Sequence, residues 1–527
     1  MRTRQRATLV VAGAVLSAAA ALGLFTRFSI NIKLSRDESI YTYGGQLLAH
    51  GVPPYVSIFD PKTPIATLLA GAGAIAARVV GRNDLYAVRG VFLVVSVLTV
   101  VAAYLVVLRL FGSVLGGLTA ALVVAASWPF AVDALAGPDA KTPGVLFEVL
   151  CLWCVAGRRW FWATLSGSLA AMVWQPMIVF PLVTLVLAVS TADGGRGRAA
   201  LRAIAGGALP VIVLGVYFAA AGALGAFVET AVVFPLTGAA RAPETVGERL
   251  SRIVSVVDDS YGAHGLLFWA GSVLLLAVVA ARLVVERSSW RTGVGVPLLA
   301  VLLTFVGEVA YACFDFQGFP DLYALVPYPA IGLGGVVALL GSRLRPRAVR
   351  LVAGVVTSVA LLVAAALTWS SYTNDPTNVD GLSAQRAQGC ALQRARVPGT
   401  PMLSLGSPVP LVMTHSRNPD RFVYLGSGVD RWKIAHTTGG LAGWQRAIDA
   451  ERPSVVVIRG WSGPVRAAME LHLKDHGYRV GHIGNWRVFL TPDAHARAVA
   501  HGVQPTRRPS RHVRAEGGGR VRPTGCQ

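Results

Sequence analysis

The chain has 527 residues, 54% of them hydrophobic and only 14% charged, whereas an average soluble domain carries roughly a quarter charged residues. This composition argues against a soluble fold. The formal net charge of +21 would suggest a nucleic-acid partner in a soluble protein, but here the arginines lie in short loops between apolar runs, which reads as membrane topology; no nucleic acid is expected.

Arg2, Arg4 and Arg6 precede an apolar run over residues 7–25 and predict a cytoplasmic N-terminus. Phe25-Thr26-Arg27 lacks the small residues of a cleavage site, so this run is expected to be an uncleaved first span. Residues 26–86 then form an outside loop. Within it, 64–80 is rich in Ala and Gly and carries Arg78, and is expected to lie at the membrane surface as an interfacial helix. With that choice Arg109, Arg158–Arg159, Arg196, Arg198, Arg202, Arg282, Arg287, Arg291, Arg343, Arg345, Arg347 and Arg350 all fall inside; the opposite parity would translocate every one. Runs such as 91–108, 266–281 and 351–368 approach the roughly 20 residues a span needs. The expectation is an α-helical polytopic protein of the plasma membrane, with about eleven transmembrane helices in residues 1–370.

After Trp369 the sequence turns polar, with Asn-Asp-Pro and Pro-Gly punctuation. Residues 371–491 are expected to form a small extracytoplasmic α/β domain. Its strands are placed at 401–405, 422–425 and 454–458, its helices at 441–450 and 464–476, and a terminal hairpin at 478–490. Residues 492–527, rich in Arg, Pro, Gly and His, are expected to be a disordered basic tail. Cys151 and Cys154 have CxxC spacing inside an apolar run with no second pair, and read as buried small hydrophobes. His415, His436 and His482 lack metal-ligand spacing, and no metal site is expected.

Polar residues collect on the outside. The first loop holds Arg36-Asp37-Glu38, then Gly51-Val52-Pro53-Pro54-Tyr55, then Asp60-Pro61-Lys62-Thr63-Pro64. A second loop holds Asp139-Ala140-Lys141-Thr142, and a later one Gln317-Gly318-Phe319-Pro320-Asp321-Leu322-Tyr323. Carboxylates at a membrane interface serve as proton acceptors and lysines there neutralise phosphate, a combination that fits group transfer from a phospholipid. The bland account of Asp37 and Glu38 is helix capping. Glu148 and Glu308 fall within predicted spans; Glu148, two turns past Lys141, is placed either to pair with it or to act in catalysis, and both glutamates are placed to line the cavity.

The acidic pair after the first span, the Gly-x-Pro-Pro-Tyr turn and Asp-Pro-Lys-Thr-Pro opening an interfacial helix resemble the GT-C membrane glycosyltransferases, including protein O-mannosyltransferase and aminoarabinose transferase relatives. Gly318 to Tyr323 and Asn418-Pro419-Asp420-Arg421-Phe422 resemble the prokaryotic polyprenyl- or dolichyl-phosphate-mannose mannosyltransferases within that group. The resemblance implies Asp37 as catalytic base, with Glu38 and Asp139 as further acids. Lys62, Lys141, Tyr55, Asp60, Gln317, Asp321 and Tyr323 are the expected substrate-binding residues. At the second loop Lys141-Thr142 follows Asp139 where the family has an acid. The expected donor is a polyprenyl-phosphate-linked sugar and the acceptor a glycan, lipid or protein. No cofactor is expected, since no Asp-x-Asp, Walker A or dinucleotide motif occurs. A transporter or lipid-linked-sugar flippase is the alternative, as intramembrane carboxylates also mark transport paths.

Overall fold

A computed structural model describes residues 2–191, 195–238, 244–261, 263–285, 295–343, 366 and 381–506. The first helix, α1 (Arg2–Phe25), is followed by two helices of the first loop, α2 (Arg36–Leu48) and α3 (Ile65–Val79). At 13 and 15 residues both are too short to cross about 30 Å of hydrocarbon at 1.5 Å per residue. They pack tightly because Gly45 brings the backbones together: a Cβ there would lie 2.7 Å from the Ala70 carbonyl carbon.

Next come α4 (Asp84–Phe111), α5 (Val114–Ala125), α6 (Trp128–Ala136), α7 (Lys141–Val155), α8 (Trp160–Ala171), α9 (Val179–Thr191) and α10 (Arg196–Ala220). The α4 helix starts at an Asn83 cap and stops at Gly112, which supplies the left-handed φ of +70° that ends it. A π-helical turn, Glu229–Val233, joins the short α11 (Leu224–Val228) and α12 (Phe234–Leu236). Among the described residues the membrane part continues with α13 (Val246–Tyr261), α14 (Ala263–Val285), α15 (Gly295–Phe314) and α16 (Pro327–Arg343).

Among the described residues six helices are long and apolar enough to cross a membrane, or seven if α5 and α6, bent by 67°, count as one. Eleven spans are therefore not borne out as a count: α7, α8 and α9 are shorter than the expected spans, and the run 351–368 lies outside the described residues. The spans carry lipid-compatible surface. On α10, Leu201, Ile204, Ile212 and Val216 are each more than half exposed, which water would penalise and lipid does not.

The two ends of the bundle carry different residues. At one end the guanidinium groups of Arg109, closing α4, and Arg159, before α8, lie 5.2 and 5.4 Å from the Trp153 ring. Lys141 begins α7 at the opposite end, about 22 Å away for 15 residues. That second end carries the first loop and the α/β domain.

The domain has a four-stranded sheet, order β1-β2-β4-β3, from β1 (Met402–Leu405), β2 (Val455–Ile458), β3 (Arg479–Ile483) and β4 (Trp486–Leu490). β1 and β2 are parallel, and β4 is antiparallel to both β2 and β3. Helices Gly381–Ala395, Gly440–Glu451 and Pro464–Asp475 accompany it. Two expectations need correction. Residues 422–425 form no strand: Phe422 stacks on Phe59 of the first loop at 4.7 Å, and the Arg421 carbonyl accepts the Phe59 N–H at 2.8 Å. Residues 492–500 are not part of a disordered tail, because Pro492–Ala500 is a helix capped by Thr491 with Ala494 and Ala498 buried. Residues 507–527 lie outside the described residues.

The domain is bound to the loop by more than Phe59. Gln385 bonds both backbone groups of Leu34, its Oε1 accepting the N–H at 2.7 Å and its Nε2 donating to the carbonyl at 2.8 Å. The Asn418 N–H donates to the Tyr43 hydroxyl at 2.8 Å.

Candidate functional site

Asp37 and Glu38 are neighbours in the first turn of α2, about 100° apart around the axis, and they separate accordingly. Glu38 turns inward, 9% exposed, accepts the Ser35 N–H at 2.9 Å and completes a capping box with the Ser35 side chain. Burial pushes its carboxyl up to about 7, with the Arg89 guanidinium acting against the rise. Asp37 keeps half of its side chain exposed, with Arg36 Nε at 3.4 Å. Arg36 also donates to the Gly460 carbonyl at 2.7 Å and the Tyr424 hydroxyl at 3.2 Å.

Lys62 is set by the turn before it. Tyr55 sits in the left-handed region at φ +69°, a conformation that costs a non-glycine residue energy and persists only when packing enforces it. Its ring packs 5.5 Å from Phe218 and 5.4 Å from Phe227, and its hydroxyl donates to the Lys62 carbonyl at 2.8 Å. Gln175 Nε2 donates to the Pro61 carbonyl at 2.6 Å. Held this way, Lys62 Nζ donates to the Tyr41 hydroxyl on α2 at 2.8 Å. Burial pushes Asp60 up to about 6 against the opposing charge of Lys62. Burial also works to lower the Lys62 ammonium, but Asp60, Asp37 and Asp139 outweigh it and its pKa is raised.

A third wall comes from the start of α7 and the segment before α16. Asp139 Oδ1 accepts the Lys141 N–H at 2.7 Å, satisfying one of the free donors of a helix start. Lys141 Nζ pairs with Asp321 Oδ1 at 3.0 Å, both side chains under 10% exposed, and lies 5.3 Å from the Trp174 ring. Asp321 Oδ2 accepts the Gln317 N–H at 2.7 Å. The pairing expected between Lys141 and Glu148 does not occur: Lys141 reaches across to Asp321, and neither Glu148 oxygen has a hydrogen-bond partner.

Asp37, Asp60, Lys62, Asp139, Lys141 and Asp321 thus form one charge cluster. The charge of Asp37 acts on Asp60 and Lys62, that of Asp139 on both lysines, and the lysines act on each other. Three expected residues stand differently. Tyr55 lies behind the site, spent on the Lys62 carbonyl. The Tyr323 hydroxyl is buried against the Pro129 carbonyl at 2.8 Å and Asp133 Oδ2 at 2.6 Å. Gln317 is exposed, its Nε2 3.5 Å from Asp315 Oδ2. Tyr41 and Trp174 were not legible as site residues, since each is marked only by what it meets in space.

A helical bundle, here with an acid-and-lysine cluster at one end, under an α/β domain, is a fold that the chain shares with solved structures. The chain is similar over 93% of its length to 98% of the aminoarabinose transferase ArnT from Cupriavidus metallidurans in the apo state, with TM-score 0.57 and 14% identity. The same enzyme bound to undecaprenyl phosphate matches with TM-score 0.57 and 14% identity over 90% of this chain and 97% of that one. An oligosaccharyltransferase from Archaeoglobus fulgidus, apo form, matches with TM-score 0.54 and 14% identity over 85% of this chain and 69% of that one. No protein-family model and no curated protein matches the sequence.

Proposed function

We propose that this protein is an inverting glycosyltransferase that moves a sugar, mannose or another hexose or pentose, from a polyprenyl-phosphate donor to an extracytoplasmic glycan, lipid or protein. The observation that carries this reading is the convergence of Lys62 and Lys141 with the half-exposed Asp37, in the fold of an enzyme solved with undecaprenyl phosphate. Lys62 and Lys141 neutralise the donor phosphate, and α7 directs its N-terminal N–H groups to the same place. Asp37 takes the proton of the acceptor hydroxyl as that oxygen attacks the anomeric carbon; the sugar–phosphate bond breaks and the electron pair leaves on the polyprenyl phosphate. One displacement inverts the anomeric centre, so a β-linked donor gives an α-linked product. Arg36 ties the Asp37 turn to the α/β domain at Gly460, which supports a role for the domain on the acceptor side.

The reading is tested with Asp37→Asn, which removes the base with little change of shape. Turnover of radiolabelled polyprenyl-phosphate sugar in detergent is expected to fall about 10²–10⁴-fold with donor binding retained. Wild-type turnover in the folded variant would eliminate Asp37 as the base.

A further inference from the structure

Away from this site, one group of three side chains among the described residues brings metal-ligand atoms together: those of Asp449, His472 and His476 all lie within 4.8 Å of one another. The two histidines are four residues apart, on helix Pro464–Asp475 and at its C-cap, and so share one face. Asp449 comes from the neighbouring helix, Gly440–Glu451. The imidazole rings lie 4.0 Å apart. His472 Nε2 is 3.0 Å from Asp449 Oδ1, and His476 Nε2 is 3.7 Å from Oδ2.

The His476 tautomer is decisive. Its Nδ1 lies 2.8 Å from the His472 carbonyl, and because a carbonyl only accepts, Nδ1 carries the hydrogen. In the neutral ring the lone pair is then on Nε2, facing a carboxylate. Lone pair against carboxylate is repulsive unless a positive charge, a proton on Nε2 or a bound ion, lies between them. Metal-ligating histidines are held in the same way, the outer nitrogen donating to a carbonyl and the inner one binding the ion. Four ligands at about 2.0–2.1 Å in a tetrahedron are about 3.4 Å apart; the two histidine contacts, to different oxygens of the Asp449 carboxylate, lie on either side of that value.

We propose that Asp449, His472 and His476 bind a divalent transition-metal ion, with Zn²⁺ the best chemical match, and that the ion clamps helix Gly440–Glu451 to helix Pro464–Asp475. The fourth position faces solvent, since half of the His476 side chain is exposed, and takes water. The site is structural. Tyr478, two residues past His476, donates to the Pro453 carbonyl at 2.7 Å at the entry to β2, whereas Arg36 contacts Gly460 beyond the exit of β2. The ion therefore sits at the end of the domain turned away from Asp37, and no step of transfer runs through it.

The test uses the full-length chain, purified in detergent with a tag free of histidine, stripped with EDTA and dialysed against buffered Zn²⁺. Wild type is expected to retain one Zn²⁺ per chain more than the His472→Ala/His476→Ala variant, and to melt higher with Zn²⁺ than in EDTA, a rise the variant lacks. Co²⁺ is expected to give the strong visible absorption of a tetrahedral site. Asp449→Asn and His476→Ala are each expected to weaken Zn²⁺ binding by at least the roughly 10–100-fold that loss of an outer partner costs. Equal metal content in wild type and the double variant overturns the proposal. Should the double variant fail to fold, His476→Ala, which alters a half-exposed helix end, decides the matter: unchanged Zn²⁺ affinity overturns it equally.

Discussion

Lys141 and Asp321 allow stability and donor recognition to be separated in one experiment. Their charges lie 3.0 Å apart with 7% and 5% side-chain exposure. At an effective dielectric of 20, two unit charges at that distance attract by about 5–6 kcal/mol, most of it offset by the cost of burying them. Removing one partner strands the other, a change that costs about 3–5 kcal/mol. Lys141→Met and Asp321→Asn are each expected to destabilise by that amount in denaturant unfolding in detergent. The double variant is expected to recover most of the loss, because no buried charge is left unmatched and the amide oxygen introduced by Asp321→Asn can still accept the Gln317 N–H. Donor affinity should behave differently, staying low in the double variant because the ammonium proposed to meet the phosphate is gone. If the two destabilisations add in the double variant, the pair is not coupled. If the stable double variant binds donor as well as wild type, Lys141 is not a phosphate ligand.

Glu38 makes stability depend on pH. Its folded-state value, about 7, lies above the ordinary 4.5, so between these pH values the folded state binds more protons and stability falls as pH rises. At about 1.36 kcal/mol per unit the change is on the order of 3 kcal/mol. Glu38→Gln keeps the capping box and should flatten this slope; an equally steep slope in the variant would refute the assignment. For orientation, the exposed positions Val56, Thr438 and Arg198 are suited to single cysteines in a background without native ones. An impermeant thiol reagent applied to intact cells is expected to label the first two and not the third, and the reverse pattern would invert the topology.

How much of this was written in the sequence depends on how local each feature is. The Asp37-Glu38 pair and the Asp-Pro-Lys-Thr-Pro turn were legible because capping and turn chemistry act within a few residues. β1, β2 and the terminal hairpin were legible for the same reason. The Lys141–Asp321 pair was not: two-turn spacing pointed to Glu148, whereas the partner comes from a segment 180 residues later that tertiary packing alone brings near. Residues 422–425 have strand composition, yet Phe422 is claimed by Phe59 of the first loop. The helix at Pro492–Ala500 did have a local signal, a Thr cap followed by Pro and Asp in its first turn, but the basic composition downstream obscured it. His472 and His476 likewise carry the i, i+4 spacing openly; what the sequence lacked was Asp449, supplied from 23 residues upstream by the packing of two helices.

The bond from Gln385 to Leu34 spans 351 residues of chain. During synthesis the first loop therefore emerges hundreds of residues before the side chain that fixes it. Long-range contacts of this kind form late, because the entropy of closing the intervening chain is lost before they are made. Phe59, Arg36 and Tyr43 wait in the same way for Arg421, Gly460 and Asn418. A chain that stops before the C-terminal domain lacks the partners that hold Leu34, Arg36, Tyr43 and Phe59, so the loop carrying Asp37 takes its final form only after that domain is made.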